Sequence, residues 1–542
     1  MSQNRASGRS KRRVTRRPEK PDLATGVVRK YSYERLSGQD RSFLAFENPH
    51  VHTHVGATQI FEAGPMRTAD GGINADLYKR AIEGVLHLIP RYRQRLMWTP
   101  IENRPIWVDD PEFNIDYHIR HTALPHPGGD EELKKLTARI MSHQLDRARP
   151  LWEQWVVEGL QGDRFAVISK LHHCMVDGTS GIDVAHLTLS PTPKYEIRKP
   201  QPYVPRTSPS EWALLKDSLT RRLNLPFQVV SGWRHFRRET KDLRRELRTR
   251  VEAVAEVLGW ATLPRAESPL NGALGPHRRV DWLATPLADC KAVSKATDCS
   301  VNDILLATVA GAVREFFLSR RVHPGDIEFR AANPVNVRQE SERGKMGNRV
   351  SSWLVLLPIG EPDPRKRLAQ VHEITEGLKS SKQALGVDMM MAVAEWQPAV
   401  MLTMGLRATN RSANMIVTNV PGPPQPLYLL GARLLEMYST VPLLENQGMG
   451  ITILSYAGKM CWGINADYEL VPDLRNFVKM IGTSFTQLVR ATTASAATEA
   501  AHTGESAGAN VPAAAVGRGT KRRHRGSSER RAAERAGLDR AG

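Results

Sequence analysis

Six prolines, Pro191, Pro193, Pro200, Pro202, Pro205 and Pro209, fall between residues 190 and 210. No helix or central strand survives that density, because each proline lacks an amide donor and fixes its own φ. The stretch must be a linker between two halves that both carry mixed helix and strand patterns. Upstream, the apolar spacing predicts helices over 75–88 and 130–145 and a strand over 165–171. Downstream, a basic helical stretch over 210–259 leads to a helix over 302–318. Strands are predicted over 327–331, 352–357 and 415–420, and a hairpin over 450–464 turns at Ala457-Gly458-Lys459. A chain of 542 residues exceeds what one hydrophobic core usually serves. The predicted organisation is a disordered basic arm over 1–25, an N-terminal lobe over 26–189, a Pro-rich linker and basic amphipathic region over 190–275, a C-terminal lobe over 276–492, and a disordered basic tail over 493–542. No internal repeat is visible.

The net charge of +19 suggests nucleic acid until it is located. Residues 1–20 carry eight Lys/Arg against Glu19, 216–250 carry eleven against four acids, and 493–542 carry nine against five. The rest of the chain is close to neutral, so its body is not a DNA-coating surface and nucleic acid is not the expected partner. With 41% hydrophobic residues the chain is neither wholly disordered nor fibrous. No apolar run reaches a membrane span, and residues 1–25 lack the apolar core of an export signal, so an integral or exported protein is not expected. Cys174, Cys290, Cys299 and Cys461 make no C-x-x-C pair and read as buried free thiols.

The chemistry concentrates where the strand over 165–171 ends. Ser169-Lys170-Leu171 runs into His172-His173-Cys174-Met175-Val176-Asp177-Gly178, which places a histidine pair at the mouth of a sheet. A neutral imidazole there can take a proton from a hydroxyl, because its ordinary pKa of about 6.5 lies near working pH. Asp177 and Gly178 suit a loop-fixing acid and a turn-permitting residue. The same spacing could supply metal ligands, although neither an H-E-x-x-H motif nor further Cys/His spacing accompanies it. The residues alone leave both readings open.

The segment resembles the H-H-x-x-x-D-G signature of the CoA-dependent acyltransferase superfamily. Further blocks resemble the bacterial wax ester synthase/diacylglycerol acyltransferase family: Leu36-Ser37-Gly38-Gln39-Asp40, His54-Val55-Gly56-Ala57, Pro150-Leu151-Trp152-Glu153, Asn302-Asp303-Ile304-Leu305, Gly347-Asn348-Arg349 and Asn419-Val420-Pro421-Gly422-Pro423. The resemblance implies an α/β fold of two chloramphenicol-acetyltransferase-like lobes with mixed sheets, joined by a crossover linker, and a tunnel between them. It also implies acyl transfer from acyl-CoA, a co-substrate, to diacylglycerol or a long-chain alcohol, with no cofactor and no metal. His173 would be the general base, His172 its support, Asp177 the loop-structuring acid and Gly178 the turn. Asn302 and Asp303 would contribute to substrate binding. A cytoplasmic protein held peripherally at the inner membrane or on lipid droplets fits such substrates. A carrier-protein-dependent condensation enzyme, or a non-catalytic lipid-surface or nucleic-acid binding protein, are the alternatives.

Departures and unabsorbed features remain. Asn336 stands where the family block usually has Ser or Thr. His50, His52 and His54 alternate and could line one strand face as metal ligands, but solvated or incidental histidines are the expected reading. Met389, Met390, Met391, Met401 and Met404 could line an acyl channel or simply fill a helix core. Trp212, Leu214, Leu215, Leu219, Leu223, Phe227, Val230 and Trp233, accompanied by Arg221, Arg222, Arg234, Arg237 and Arg238, give a basic amphipathic pattern suited either to an anionic lipid interface or to packing on the lobes.

Overall fold

The alternation of Phe165-Ala166-Val167-Ile168 with polar ends produces the central strand of the first lobe, Arg164–His172, buried along almost its whole length. The computed structural model describes residues 33–175, 187–220, 263–336, 350–380 and 411–506, with isolated positions between 223 and 259. Asp177, Gly178, the arm over 1–25, Arg221, Arg222, Arg234, Arg237, Arg238, Phe227, Val230, Trp233, Gly347-Asn348-Arg349, the five methionines and the tail beyond Ser506 lie outside the described residues. So does the side chain of Asn336. Met1–Thr493 forms one unit and Ala494–Gly542 a second, of which only helical residues 494–506 are described.

In the first unit a seven-stranded sheet runs in the order Ile119–Ala123, Trp152–Leu160, Arg164–His172, His54–Glu62, Ala432–Thr440, Tyr428–Leu429, Leu189–Ser190. All neighbours are antiparallel except the first two. A six-stranded mixed sheet runs Val350–Leu357, Phe329–Asn336, Met415–Val420, Met449–Tyr456, Lys459–Asp467, Arg278–Pro286. Each sheet has its own apolar core. Chain order and sheet membership do not coincide, because Tyr428–Leu429 and Ala432–Thr440 leave the C-terminal half to complete the N-terminal sheet.

That strand exchange joins the two sheets. Tyr438 stacks on Trp282 with centroids 5.1 Å apart, and a β-carbon at Gly463 would lie 2.0 Å from the Ser439 carbonyl oxygen, so only glycine allows this approach. The predicted hairpin is present as Met449–Tyr456 and Lys459–Asp467, tighter than expected. Ala457 and Gly458 both take positive φ, 45° and 85°, which matches the twist of a two-residue hairpin. The predicted strand over 327–331 extends further, as Phe329–Asn336, because antiparallel pairing with Val350–Leu357 carries it through Pro334.

The proline stretch is irregular from 191 to 210 and is fastened to the first lobe. Tyr203 donates its hydroxyl to the Arg93 and Asp110 carbonyls (3.1 and 3.0 Å), and Arg206 grips Asp109 with two guanidinium nitrogens (2.9 and 2.7 Å). The helix over 211–220 follows, with Leu214 buried against Ile106 and Val108.

Candidate active site

Three sequence blocks converge on the histidine pair. In the first, the Ser37 hydroxyl accepts the Asp40 amide (3.1 Å) and caps the helix Gly38–Phe46. That helix delivers Phe43, whose ring stacks on His173 at 3.8 Å and 21° between planes, and ends at Glu47. In the second, the P-L-W element pins the start of the neighbouring strand. Leu151 lends its carbonyl to the His172 amide (3.0 Å), and buried Trp152 donates Nε1 to the Tyr92 carbonyl (2.8 Å). In the third, strand His54–Glu62 pairs with Arg164–His172 so that His54 stands directly opposite His172. The strand over 164–172 then gives way to a single tight turn, His173–Met175.

His172 is fully buried and its tautomer follows from its neighbours. The Cys174 amide donates to Nδ1 (3.1 Å), so the ring proton sits on Nε2, which donates to the Thr53 hydroxyl (3.0 Å) and lies 3.3 Å from a Glu47 oxygen. The Thr53 hydroxyl in turn donates to the Phe43 carbonyl (3.0 Å). The other Glu47 oxygen lies 3.2 Å from His54 Nε2. Burial alone would raise the Glu47 carboxyl, but the imidazoles of His172 and then His54 hold it well below the usual carboxylate range. Burial drives His54 down to about 3, so that ring is uncharged at neutral pH.

His173 is half-buried, its amide fixed by the Thr53 carbonyl (2.8 Å). Burial pushes its imidazole down to about 4, and Nδ1 has no hydrogen-bond partner among the described residues. The ring is therefore neutral near pH 7 and can accept a proton. Cys174 is buried and burial raises its thiol well above the ordinary value, which removes it as a thiolate nucleophile and fits the packing role. All four cysteines are buried and free.

Glu47, His54 and His172 bring donor atoms within 4.8 Å of one another, a set that could suit a metal by residue type. Two features oppose a cation there. Arg147 already bonds a Glu47 oxygen through Nε and Nη2 (3.0 and 2.5 Å), and the His172 nitrogen facing Glu47 carries the proton. His50 is exposed and His52 turns Nε2 to the Pro49 carbonyl (2.9 Å), so the alternating trio does not act together. His54, expected to be solvated or incidental, is instead buried in the site, because strand pairing places it against His172. Sequence reasoning missed Glu47, Thr53 and Arg147. The usable signal was Glu47 closing the helix that Ser37 opens.

Asn302 and Asp303 lie in the other lobe. Asp303 is buried and its carboxylate is occupied: it accepts the Ser300 amide (2.9 Å), His372 Nδ1 (2.9 Å) and the Thr375 hydroxyl (2.7 Å). Those bonds hold its pKa down against the effect of burial. It thereby caps helix Val301–Ser319 and ties it to helix Pro364–Ser380. Among the described residues Asn302 hydrogen-bonds Asn333, at 3.5 Å.

The wax ester synthase/diacylglycerol acyltransferase catalytic-domain model matches residues 36–305, and the WS/DGAT C-terminal-domain model matches residues 346–489. A probable diacylglycerol O-acyltransferase, tgs1 of Mycobacterium tuberculosis, is 32% identical over 466 residues, 84% of this chain and 95% of its own. A second, putative diacylglycerol O-acyltransferase of Mycobacterium tuberculosis is 30% identical over 473 residues, 84% of this chain and 96% of its own. Among solved structures, a wax ester synthase/diacylglycerol acyltransferase from Marinobacter aquaeolei VT8 matches with a TM-score of 0.60 at 23% identity, covering 84% of this chain and 98% of that one. The first condensation domain of the calcium-dependent antibiotic synthetase matches at 0.53 and 15%, covering 85% and 97%. These likenesses bear out the two-lobed α/β fold.

Proposed function

The chain belongs to the wax ester synthase/diacylglycerol acyltransferase family, and from that premise we propose that it moves a long-chain acyl group from acyl-CoA to diacylglycerol, forming triacylglycerol. Long-chain alcohols are the second acceptor class, giving wax esters. The observation that carries the mechanism is the neutral, half-buried His173 ring, stacked on Phe43, with its backbone amide fixed by the Thr53 carbonyl. His173 takes the acceptor's hydroxyl proton as its oxygen attacks the thioester carbonyl; a C–O bond forms, the C–S bond breaks, and the imidazolium returns the proton to the departing thiolate. No acyl-enzyme is needed, since a thioester is already activated and the protein need only position two substrates and move one proton.

His172 is a positioning residue, locked by Cys174, Thr53 and Glu47. The roles of Asp177 and Gly178 follow from the family motif alone. Asp303 serves the architecture of the second lobe rather than substrate, because its oxygens are spoken for. The His172 tautomer and Arg147 speak for an uncoordinated Glu47–His54–His172 cluster, and the proposed reaction calls for no cofactor.

No described helix is long and apolar enough to cross a membrane. Peripheral attachment to an inner membrane or droplet is supported by the helix over 211–220, which leaves Trp212 79% and Leu219 53% exposed, with Leu223 75% exposed just beyond. Such a solvent-facing apolar row suits a lipid interface. The test is to give purified protein palmitoyl-CoA with a panel of diacylglycerols and alcohols and resolve the products. Triacylglycerol as the main product is expected, and free fatty acid alone would overturn the reading.

A further inference from the structure

We propose that a cationic cleft in the first unit holds the phosphate-rich nucleotide end of the acyl donor, an inference that rests on the acyl-CoA reading above. The cleft has a volume of about 630 Å³ and lies between helix Asp130–Met141, the start of strand Arg278–Pro286 and the segment 468–475. A single phosphate would leave most of that space empty, whereas a nucleotide falls within the ordinary size of a ligand pocket.

Its charges are arranged unevenly. Lys134 is taken by Asp281 (2.6 Å), Arg475 lies 3.6 Å from Glu131, and Arg278 pairs with Asp467 (3.7 Å). Lys135, Arg139 and Arg279 line the same space with no carboxylate partner among the described residues. Lys135 and Arg139 are exposed and stand four apart on one helix face, a like-charge spacing that is unfavourable in an isolated helix and becomes useful when an anion lies between them. Arg279 lies over the Tyr468 ring at 3.7 Å, and its fork can still meet phosphate oxygens in pairs. The exposed ring of His277, edge to face with Tyr468 at 6.2 Å, adds an aromatic group for a base beside the cations.

The walls of the cleft are hydrogen-bonded to the segments that carry the histidine pair. Buried Arg278 donates its amide to the Ser142 hydroxyl oxygen (2.8 Å) and Nη2 to the His50 carbonyl, in the loop whose Thr53 carbonyl fixes the His173 amide. Fully buried Lys170, two residues before His172, donates to the carbonyls of Ile140 and His143 (2.8 and 2.5 Å), at the end of the helix that walls the cleft. A donor seated here has its anionic end on the same helix and loop that set the base.

The test uses the full chain with Lys135 and Arg139 both changed to Gln, two exposed positions at which the thermal midpoint should hold. Calorimetric titration with unacylated CoA should show at least a tenfold loss of affinity relative to wild type. The ratio of kcat/KM for palmitoyl-CoA to that for palmitoyl-pantetheine, which lacks the nucleotide, should fall by a similar factor. CoA affinity within twofold of wild type would overturn the proposal. So would a loss confined to phosphatidic acid vesicles, which would assign the cations to a lipid headgroup. Because binding of CoA is read without turnover, a protein that acylates no alcohol at all would defeat the functional reading and leave this one to be decided by the titration.

Discussion

The backbone amide of Cys174 points at Nδ1 of His172, 3.1 Å away, and this one contact decides where the first histidine keeps its proton. With Nδ1 an acceptor, Nε2–H faces Thr53 and Glu47, and the first ring cannot serve as the base without breaking that arrangement. The pair is thereby divided into a held histidine and one whose Nδ1 has no partner among the described residues, although the two are adjacent in sequence.

Thr53 is the hinge of the division, since its hydroxyl accepts from His172 and donates to Phe43 while its carbonyl fixes the His173 amide. Thr53→Val keeps the shape and the carbonyl but strips the hydroxyl, leaving buried partners unpaired. A stability loss of about 1–3 kcal/mol is expected by urea denaturation. The kcat should fall several-fold while KM for diacylglycerol holds. An unchanged kcat would show that the tautomer lock is irrelevant to turnover.

His173→Ala removes the proton acceptor and should lower kcat by about 10²–10⁴ with the far-UV circular dichroism unaltered. Because burial pushes the His173 imidazole down to about 4, the base form prevails across the neutral range. The pH profile of kcat/KM should therefore stay level from pH 8 to about 5 and fall only as pH approaches 4. A half-maximal point near 6.5, the ordinary histidine value, would mean that the ring is solvated.

Stability should carry the opposite signature of the same burial. His54 and His118 are each 1% exposed, and burial lowers them to about 3 and about 4 from 6.5. The unfolded chain binds their protons near pH 6.5 and the folded one only near pH 3–4, so stability is full above 6.5 and declines as pH falls. Between pH 7 and pH 5 each contributes a loss of about 2 kcal/mol. Urea titrations at the two pH values would register it, and a pH-independent midpoint would count against uncharged burial.

Much of this fold was legible because its signals are local. The proline run, the strand ending at His172, the helix behind Ser300 and the Ala457-Gly458 turn each depend on a few consecutive residues. What could not be read was the pairing of distant segments. Nothing in Ala432–Thr440 announces that it crosses to the other sheet, and nothing near His54 announces His172, since they meet only through a register between strands more than a hundred residues apart. The histidine pair was visible in its motif, whereas Thr53 and Arg147 carry no spacing that links them to it and Glu47 is marked only as the end of the helix that Ser37 opens.

Asp303 separates the two meanings a family block can have. Asp303→Ala removes a helix cap and orphans His372 and Thr375 inside the second lobe, so about 2–4 kcal/mol of stability should go. Activity per folded molecule should survive, read at 15 °C in glycerol with the folded fraction measured in parallel. A collapse of kcat in fully folded variant would return this residue to the substrate.

Docking on lipid can be weighed by area. Trp212 and Leu219 project from a helix whose other face, at Leu214, is sealed against Ile106 and Val108, so changing the outer pair does not touch a core. Transferring two such side chains from water to the acyl boundary gains roughly 3 kcal/mol at about 25 cal/mol per Å², a factor of about 100 in partitioning. Trp212→Ser with Leu219→Ser should therefore cut flotation with anionic liposomes by one to two orders of magnitude and slow turnover of vesicle-borne diacylglycerol, while detergent-dispersed substrate is consumed at the original rate. Equal loss on both substrate forms would instead place these residues in the path of the acceptor, and equal flotation would leave the helix no role at the interface.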